Sequence, residues 1–269
     1  MFRTVDFTQF STAHKRPENQ DRCFCLHCDG TPEVAPMSIL CVLDGVSNAH
    51  GGVAAGMALR SMQSALAGLL GKAQALMAED EYTREDIILS AMRSAIVDAH
   101  QLLQAQAYLD LQYGTTVVLV TVFDEKVYAA NVGDSPAYLL EFPPFGDAPE
   151  LTPLFQCQNK AAEAVREGRM TPEEARTSGW RNYLTEMLGS NTFLPASIYT
   201  TSAWIGQNNV LLLGSDGALS VLPEQELVQV VSKELHRGLE AAVAMLYLQI
   251  QNSDSTDNFT VLAQQVETR

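Results

Sequence analysis

Three aspartates stand at the ends of apolar segments that are far apart along the chain. Asp44 follows the apolar run Met37–Leu43, Asp216 follows VLLLG closely, and Asp257 comes just before the β-rich segment FTVLAQQV. Short apolar runs of this kind are typical of buried strands, so we expect each carboxylate at a strand end. Oxygen ligands from separate segments suit a hard divalent cation, whereas a single Asp-Gly pair more often only makes a turn. Together the three indicate a magnesium or manganese site.

The densest positive charge near any of these motifs lies in a polar, loop-like segment, residues 11–20. His14, Lys15 and Arg16 are consecutive in it. The fork of donors on an arginine suits a dianionic phosphate. Exposed charges are usually only solvated, so an ordinary loop is the alternative. Arg16 is therefore a candidate phosphate anchor.

Composition limits the class of protein. The chain has 269 residues, of which 46% are hydrophobic, and 17 basic against 32 acidic residues give a formal net charge of −15. This acidity argues against nucleic acid and anionic membranes as partners, since both are bound by clustered Lys and Arg. No apolar run is expected to reach the roughly 18 to 20 residues of a spanning helix, and the first ten residues lack a signal-peptide core. We predict one domain over residues 1–269, in a soluble, cytoplasmic, monomeric protein.

Three of the five cysteines are close together in sequence. Cys23, Cys25 and Cys28 surround His27, which makes a zinc site conceivable. Such a site needs a fourth ligand and usually a second pair of cysteines. Cys23 and Cys25 alternate along a predicted strand and so share one face. Buried, inert thiols are the favoured interpretation, because a free cysteine behaves as a small hydrophobic residue.

The order of predicted elements favours an α+β sandwich of two antiparallel sheets flanked by helices. Short polar breaks join three strand-like runs after residue 115 and predict an antiparallel meander, because parallel crossovers need a dozen or more residues. Asp134 lies in the second break. Predicted strands cover residues 4–10, 22–27, 37–43, 115–122, 126–132, 137–141, 197–201, 210–214 and the segment from 259, and helices cover 51–70, the segment from 83, 223–231 and 239–251.

Residues 158–189 interrupt the strand pattern with a helical insert. A first helix ends at Gly168, and a second begins with Thr171 as its N-cap, Pro172 at its first position and Glu174 as the capping glutamate. The insert carries no candidate metal ligand. We therefore predict a lid that influences peptide preference and not the chemistry.

Six motifs occur in a fixed order and cover almost the whole chain. They are RPENQD from Arg16, VLDGV followed by the Gly51-Gly52 pair, YGTT from Tyr113, NVGDSPAYL from Asn131, GSDGAL from Gly214 and TDNFTVL from Thr256. This ordered set resembles the metal-dependent protein phosphatases of type 2C, in a bacterial-like single-domain form. The resemblance implies a four-layer α/β/β/α sandwich and hydrolysis of phosphoserine and phosphothreonine in a phosphorylated protein, in opposition to a serine/threonine kinase.

The resemblance also implies a set of metal ligands. Two Mg²⁺ or Mn²⁺ ions are expected, with Asp44 bridging them, the Gly45 carbonyl serving one, and Asp216 and Asp257 serving the other. Asp134 matches a ligand of a third ion in bacterial relatives.

Roles outside the ligand set follow from the same resemblance. Arg16 matches the arginine that holds the substrate phosphate, and Asp21 is expected to orient metal-bound water. Gln20 departs from the pattern, because many members have glutamate beside the matching aspartate. Val46 replaces a histidine proposed as general acid in several eukaryotic members, and His50 is off register.

Two other classes of protein remain as alternatives. A phosphoprotein-binding pseudophosphatase keeps the fold without turnover, but it would be indicated by loss of a metal aspartate, and none is lost. A calcium-binding structural module predicts closely spaced ligands within one loop, whereas these are scattered along the chain.

Overall fold

The structure is a computed structural model that describes residues 3–107, 111–143, 148–206 and 208–268. The strands are β1 (Arg3–Thr12), β2 (Arg22–Cys28), β3 (Met37–Leu43), β4 (Val117–Phe123), β5 (Lys126–Val132), β6 (Ala137–Glu141), β7 (Glu150–Pro153), β8 (Tyr199–Trp204), β9 (Val210–Gly214) and β10 (Phe259–Thr268). The helices are α1 (Gly51–Leu70), α2 (Ala73–Ala78), α3 (Glu81–Gln106), α4 (Lys160–Arg166), α5 (Pro172–Thr177), α6 (Asp216–Leu219), α7 (Glu224–Glu234) and α8 (Leu239–Gln251).

Two five-stranded sheets face each other, and all of their strand pairs are antiparallel. The first sheet has the order β1-β10-β9-β6-β7 and the second has the order β2-β3-β4-β5-β8. Helices α1 and α3 pack on the outer face of the second sheet, and α7 and α8 pack on the outer face of the first. The predicted four-layer sandwich is confirmed.

Strand β3 shows why its sequence is apolar along its whole length. Ile39, Cys41 and Leu43 point towards α1 and α3, whereas Leu40 and Val42 lie in the core between the two sheets. Successive side chains of a strand point to opposite faces, so a strand between two apolar layers needs an apolar residue at every position. The predicted bounds of β3 are confirmed.

The start of α3 differs from the prediction. The helix begins at Glu81 and not at Thr83, because the side chain of Asp80 accepts a hydrogen bond from the backbone N–H of Thr83 at 3.0 Å and serves as the N-cap. Asp86 therefore lies inside the helix and has no capping role. The short helix α2, which precedes this cap, was not predicted.

The predicted meander is wrong in its third strand. Strands β4 and β5 form a hairpin, but β6 leaves the second sheet and pairs with β7 and β9 of the first. The connection turns at Gly133, whose φ of 107° is a conformation that favours glycine. A Cβ at this position would also overlap the side chain of Thr116. Asp134 therefore lies in a crossover between the sheets and not in a hairpin.

Helix α1 meets the length and hydropathy of a membrane span, although no such apolar run was expected from the sequence. Among the described helices it alone has the length and composition of a membrane span, with a mean hydropathy of 1.2 over 18 residues. Arg60 interrupts its apolar sequence, and the face that carries Ala54, Ala58 and Met62 is buried in the core with α3. The core helix of a globular fold can meet the same criteria.

Candidate metal centre

Five aspartates are placed by the ends of strands. Asp44 follows β3, Asp21 precedes β2, Asp216 opens α6 just after β9, Asp257 precedes β10, and Asp134 lies in the crossover from β5 to β6. Strand β3 of the second sheet contacts β9 and β10 of the first. Stacking of the two sheets therefore brings these carboxylates to one edge of the sandwich.

Two glycines let the segments that carry Asp44, Asp216 and Asp257 pack closely against neighbouring segments. A Cβ on Gly45 would lie 2.5 Å from the carbonyl oxygen of Gly51, so the start of α1 is pressed against the residue that follows Asp44. A Cβ on Gly217 would lie 3.0 Å from the Cβ of Asp257. Only glycine allows the backbone to come this near.

The backbone of Asp44 is fixed by the YGTT motif. The N–H of Thr116 and the hydroxyl of Thr115 each donate to the Asp44 carbonyl at 2.8 Å. The Asp44 N–H donates in turn to the Thr116 hydroxyl at 3.2 Å. The motif thus orients Asp44 through its main chain, a role that sequence reasoning did not identify.

The carboxyl groups of Asp44 and Asp216 lie close to each other within the cluster. Burial raises the pKa of Asp44 well above its usual range, and the neighbouring charges of Asp21 and Asp216 add to this effect. Burial also raises the pKa of Asp216, with a further contribution from the charge of Asp257. Carboxyl groups placed this close together concentrate negative charge that calls for a cation.

Asp21 is 2% exposed and its carboxylate is not satisfied. Neither carboxylate oxygen has a hydrogen-bond partner of acceptable geometry in the described part of the chain. The hydroxyls of Ser215 and Thr260 lie close enough to lower its pKa, and Ser215 Oγ also accepts a hydrogen bond from the Thr260 N–H at 3.0 Å. Burial prevails over these hydroxyls and, with the charges of Asp216 and Asp257, raises the pKa of Asp21 to about 6.

Asp134 is 6% exposed and connects the cluster to the insert. Its Oδ2 accepts a hydrogen bond from Asn159 Nδ2 at 3.2 Å, and Asn159 Oδ1 caps α4 by accepting from the Ala162 N–H at 3.0 Å. Burial, followed by the charge of Asp216, raises the pKa of Asp134 to about 8, whereas the guanidinium of Arg181 acts in the opposite direction. Asn159 was missed in the sequence, although it directly precedes the first predicted helix of the insert.

Arg16 reaches the cluster from the loop between β1 and β2. Its Nη2 lies 3.1 Å from Asp257 Oδ2, and both side chains are about half exposed. The two preceding residues bind the loop that carries Asp257, through His14 Nε2 to the Ser255 carbonyl at 2.9 Å and Lys15 Nζ to the Ser253 carbonyl at 3.2 Å. The basic segment therefore lies at the site that the sequence predicted.

Gln20 and His50 occupy the polar rim of the cluster. The side-chain amide of Gln20 donates to Glu18 Oε1 at 2.7 Å, and its backbone N–H donates to Asn258 Oδ1 at 2.9 Å. His50 is exposed at the start of α1 with a positive φ of 45°, and its ring lies 5.3 Å from that of Tyr113. Gln20 thus has a role within its own loop.

The donor set fits a hard cation better than zinc. The side chains of this set are carboxylates, whose oxygens Mg²⁺ and Mn²⁺ prefer as ligands. Both carboxylate oxygens of Asp21 lack a hydrogen-bond partner in the described part of the chain. Within the described ranges no three His, Cys, Asp or Glu side chains converge as a ready-made ligand set. Asp44 and Asp216 instead lie side by side, and Arg16 is paired with Asp257.

The cysteine-rich segment does not form a zinc site among the described residues. Cys23 and Cys25 pack against the core between the sheets. His27 binds Asp29 Oδ1 at 3.0 Å and Ser38 Oγ at 3.2 Å, and Cys28 is exposed. Burial raises the pKa of the Cys23 and Cys25 thiols to about 11, so both stay protonated near neutral pH.

Known proteins are similar to this chain in sequence and in fold over most of its length. A serine/threonine phosphatase, Stp, from Listeria monocytogenes is 27% identical over 228 residues, which are 83% of this chain and 82% of the relative. The structure of the S. agalactiae serine/threonine phosphatase covers 98% of this chain and 100% of its own, with a TM-score of 0.77 and 21% identity. The catalytic domain of the phosphatase PstP, crystallised with two manganese ions, has a TM-score of 0.74 and 21% identity, and the match covers 99% and 100% of the two chains. The family model described as protein phosphatase 2C matches residues 10–242, and the chain belongs to that family.

Proposed function

We propose that the acidic cluster is the two-metal centre of a protein phosphatase. The chain is a metal-dependent protein serine/threonine phosphatase, as its family membership and relatives support. The single observation that carries the assignment of the site is the placing of five aspartates at one edge of the sandwich, with both oxygens of the buried Asp21 unpartnered in the described part of the chain. An anionic cluster of this kind is costly unless cations compensate it.

The proposed ligands come from segments on both sheets. Asp44, the Gly45 carbonyl, Asp216 and Asp257 would hold two Mg²⁺ or Mn²⁺ ions, and Asp134 would serve a third. The manganese-bound PstP structure, which has the same fold, supports this ion choice. When bound, such ions neutralise phosphoryl oxygens and lower the pKa of a coordinated water.

The remaining site residues act on the substrate and on water. Arg16 would hold the phosphate with its guanidinium fork, exchanging its ion pair with Asp257 for two parallel hydrogen bonds to phosphate oxygens. Asp21 would accept a hydrogen bond from the attacking water and orient it in line with the ester oxygen. Water adds to phosphorus as the bond to the serine or threonine oxygen breaks, and that oxygen takes up a proton. No protein nucleophile is needed.

The setting of the activity follows from composition and fold. Both sheets share one apolar core, which supports a single domain over residues 1–269. The insert, residues 158–189, is tied to Asp134 through Asn159 and would act as a lid over the site. We place the protein in the cytoplasm as a monomer that opposes a serine/threonine kinase, away from nucleic acid and membranes, in keeping with its net charge of −15.

Manganese binding and turnover measured on the same variants test this proposal. Asp257→Asn should lower Mn²⁺ affinity in calorimetry and reduce phosphate release from a phosphothreonine peptide, because a ligand charge is lost. Asp254→Asn is the matched control, since Asp254 is exposed in the same loop. Mn²⁺ binding without peptide turnover in the unmodified protein would favour the pseudophosphatase. Equal Mn²⁺ affinity in both variants would contradict the ligand assignment.

A further inference from the structure

A polar cleft of about 520 Å³ lies beside the candidate metal centre without containing its ligands. Its lining includes Gln20, Arg22, Ser47, His50 and Gly52. The volume is within the range of ligand sites in proteins. Another cleft of similar size, about 440 Å³, lies between α7 and α8. None of the five aspartates of the candidate metal centre lines it.

Gly52, in the first turn of α1, belongs to the lining of this cleft. A Cβ on Gly52 would lie 3.6 Å from the Cα of Gln20, so the helix packs closely on the segment before β2. Gly56 lies one turn further along. A Cβ at Gly56 would lie 3.7 Å from Arg60 Nη1 and 4.0 Å from Arg22 Nε. The two guanidinium groups therefore approach one point beside α1, close enough for one anionic group to contact both.

Neither arginine is paired with a carboxylate of the residues that the structure describes. Arg22 Nη1 donates to the backbone carbonyls of Asn19 and Asp21 at 2.7 Å, and these neutral acceptors leave its charge uncompensated. Arg60 is exposed and has no hydrogen bond or ion pair within the described ranges. Two like charges repel each other, and a bound anion would relieve that repulsion with charge-assisted hydrogen bonds. This is unusual in a protein with acidic residues in large excess.

We propose that Arg22 and Arg60 form a subsite for an acidic side chain of the phosphoprotein substrate. The proposal rests on the phosphatase function above and adds a sequence preference to it. Glu18 lies in the same cleft, where it accepts from Gln20, so an acidic residue is disfavoured at that end and favoured beside the arginines.

The length of α1 gives the spacing along the substrate. Gly51 touches Gly45 at the metal centre, and both guanidinium groups lie beside Gly56, five residues further along the helix. At a rise of about 1.5 Å per residue, this is about 7.5 Å. An extended peptide covers about 3.4 Å per residue, so the acidic side chain is expected about two residues from the phosphorylated one.

Phosphothreonine peptides with Glu, Ala or Lys two positions before or after the phosphothreonine test this subsite. For one of the two directions we expect KM about fivefold lower for the Glu peptide than for the Ala peptide at low salt, with a smaller difference at high salt. Arg60→Glu should abolish that preference or shift it to Lys, and Arg60→Gln should abolish it. Lys72→Glu is the control, because it makes the same change of charge at an exposed residue just beyond the end of α1. It should keep the preference for Glu.

The outcomes separate the two proposals. Failure of the unmodified protein to hydrolyse p-nitrophenyl phosphate with Mn²⁺ would overturn the proposed phosphatase function and the subsite with it. Turnover of that small ester together with equal KM values for the Glu, Ala and Lys peptides would overturn the subsite alone. A Glu preference that persists in both Arg60 variants would also overturn it.

Discussion

Replacing Asp21 by asparagine should stabilise the metal-free protein at neutral pH. Burial raises the pKa of Asp21 from 3.8 to about 6. Between these values the folded state binds a proton that the unfolded state has lost, so the free energy of unfolding falls as pH rises. Each pKa unit corresponds to about 1.4 kcal/mol, and the full cost of ionising this carboxyl is therefore about 3 kcal/mol above pH 6.

Asp21→Asn removes this cost but leaves a buried amide, which costs about 1 kcal/mol where it finds no partner. We expect the variant to be about 2 kcal/mol more stable than the unmodified protein at pH 7.5 in EDTA. Near pH 4 the folded carboxyl is neutral and the unfolded one is only partly ionised, so this cost falls below about 1 kcal/mol and the gain should disappear. Urea unfolding at both pH values measures the difference, provided that the denaturant slope is unchanged.

Asp98→Asn is the control for this measurement. Asp98 is exposed on α3, and its removal should leave the pH dependence of stability as it is. Added Mn²⁺ should stabilise the unmodified protein more than Asp21→Asn, because ligand binding stabilises the folded state by mass action. A variant that is equally destabilised at pH 4 and pH 7.5 in EDTA would refute the reasoning.

Three further predictions concern other parts of the site. Gly217→Ala should cost more than about 2 kcal/mol of stability, measured by urea unfolding, because a Cβ would overlap the Asn258 carbonyl; unchanged stability would contradict the close approach. Gln20→Glu should lower the Mn²⁺ concentration for half-maximal activity several-fold, since one added negative charge near the metal centre is worth about 1 kcal/mol, although the new carboxylate also faces Glu18. Superimposable Mn²⁺ titration curves for the two proteins would mean that Gln20 only stabilises its loop. Exchange of residues 158–189 for a relative's insert should change peptide selectivity and leave p-nitrophenyl phosphate turnover nearly unchanged, and a comparable loss on both would count against a lid.

Local signals in the sequence were sufficient for most elements. The bounds of β3, β5, β9 and α1 are confirmed, because continuous apolar runs between polar breaks define them. Asp80 was overlooked as the N-cap of α3, since its hydrogen bond to Thr83 depends on a turn that the apolar pattern does not mark. The pattern alone also could not decide between one sheet and two for β6, because its pairing with β9 is set by packing of distant segments.

The members of the site were predicted through ordered motifs, whereas their interactions were not. The close approach of Asp44 and Asp216 depends on how the two sheets stack, and no local pattern encodes that distance. The proximity of Arg22 and Arg60 has the same cause, because Arg22 is the first residue of β2 and Arg60 lies on α1. Contacts of this kind come from tertiary packing and need the structure.

Phosphate release from a phosphothreonine peptide, measured over a Mn²⁺ titration for the unmodified protein and Asp216→Asn, tests the central claim most directly. The account predicts Mn²⁺-dependent turnover that falls at least about 100-fold in the variant, since a lost metal ligand removes several kcal/mol of transition-state stabilisation. Circular dichroism should show the same fold for both proteins. A folded Asp216→Asn protein that turns over the peptide at the unmodified rate would contradict the assignment of the metal centre.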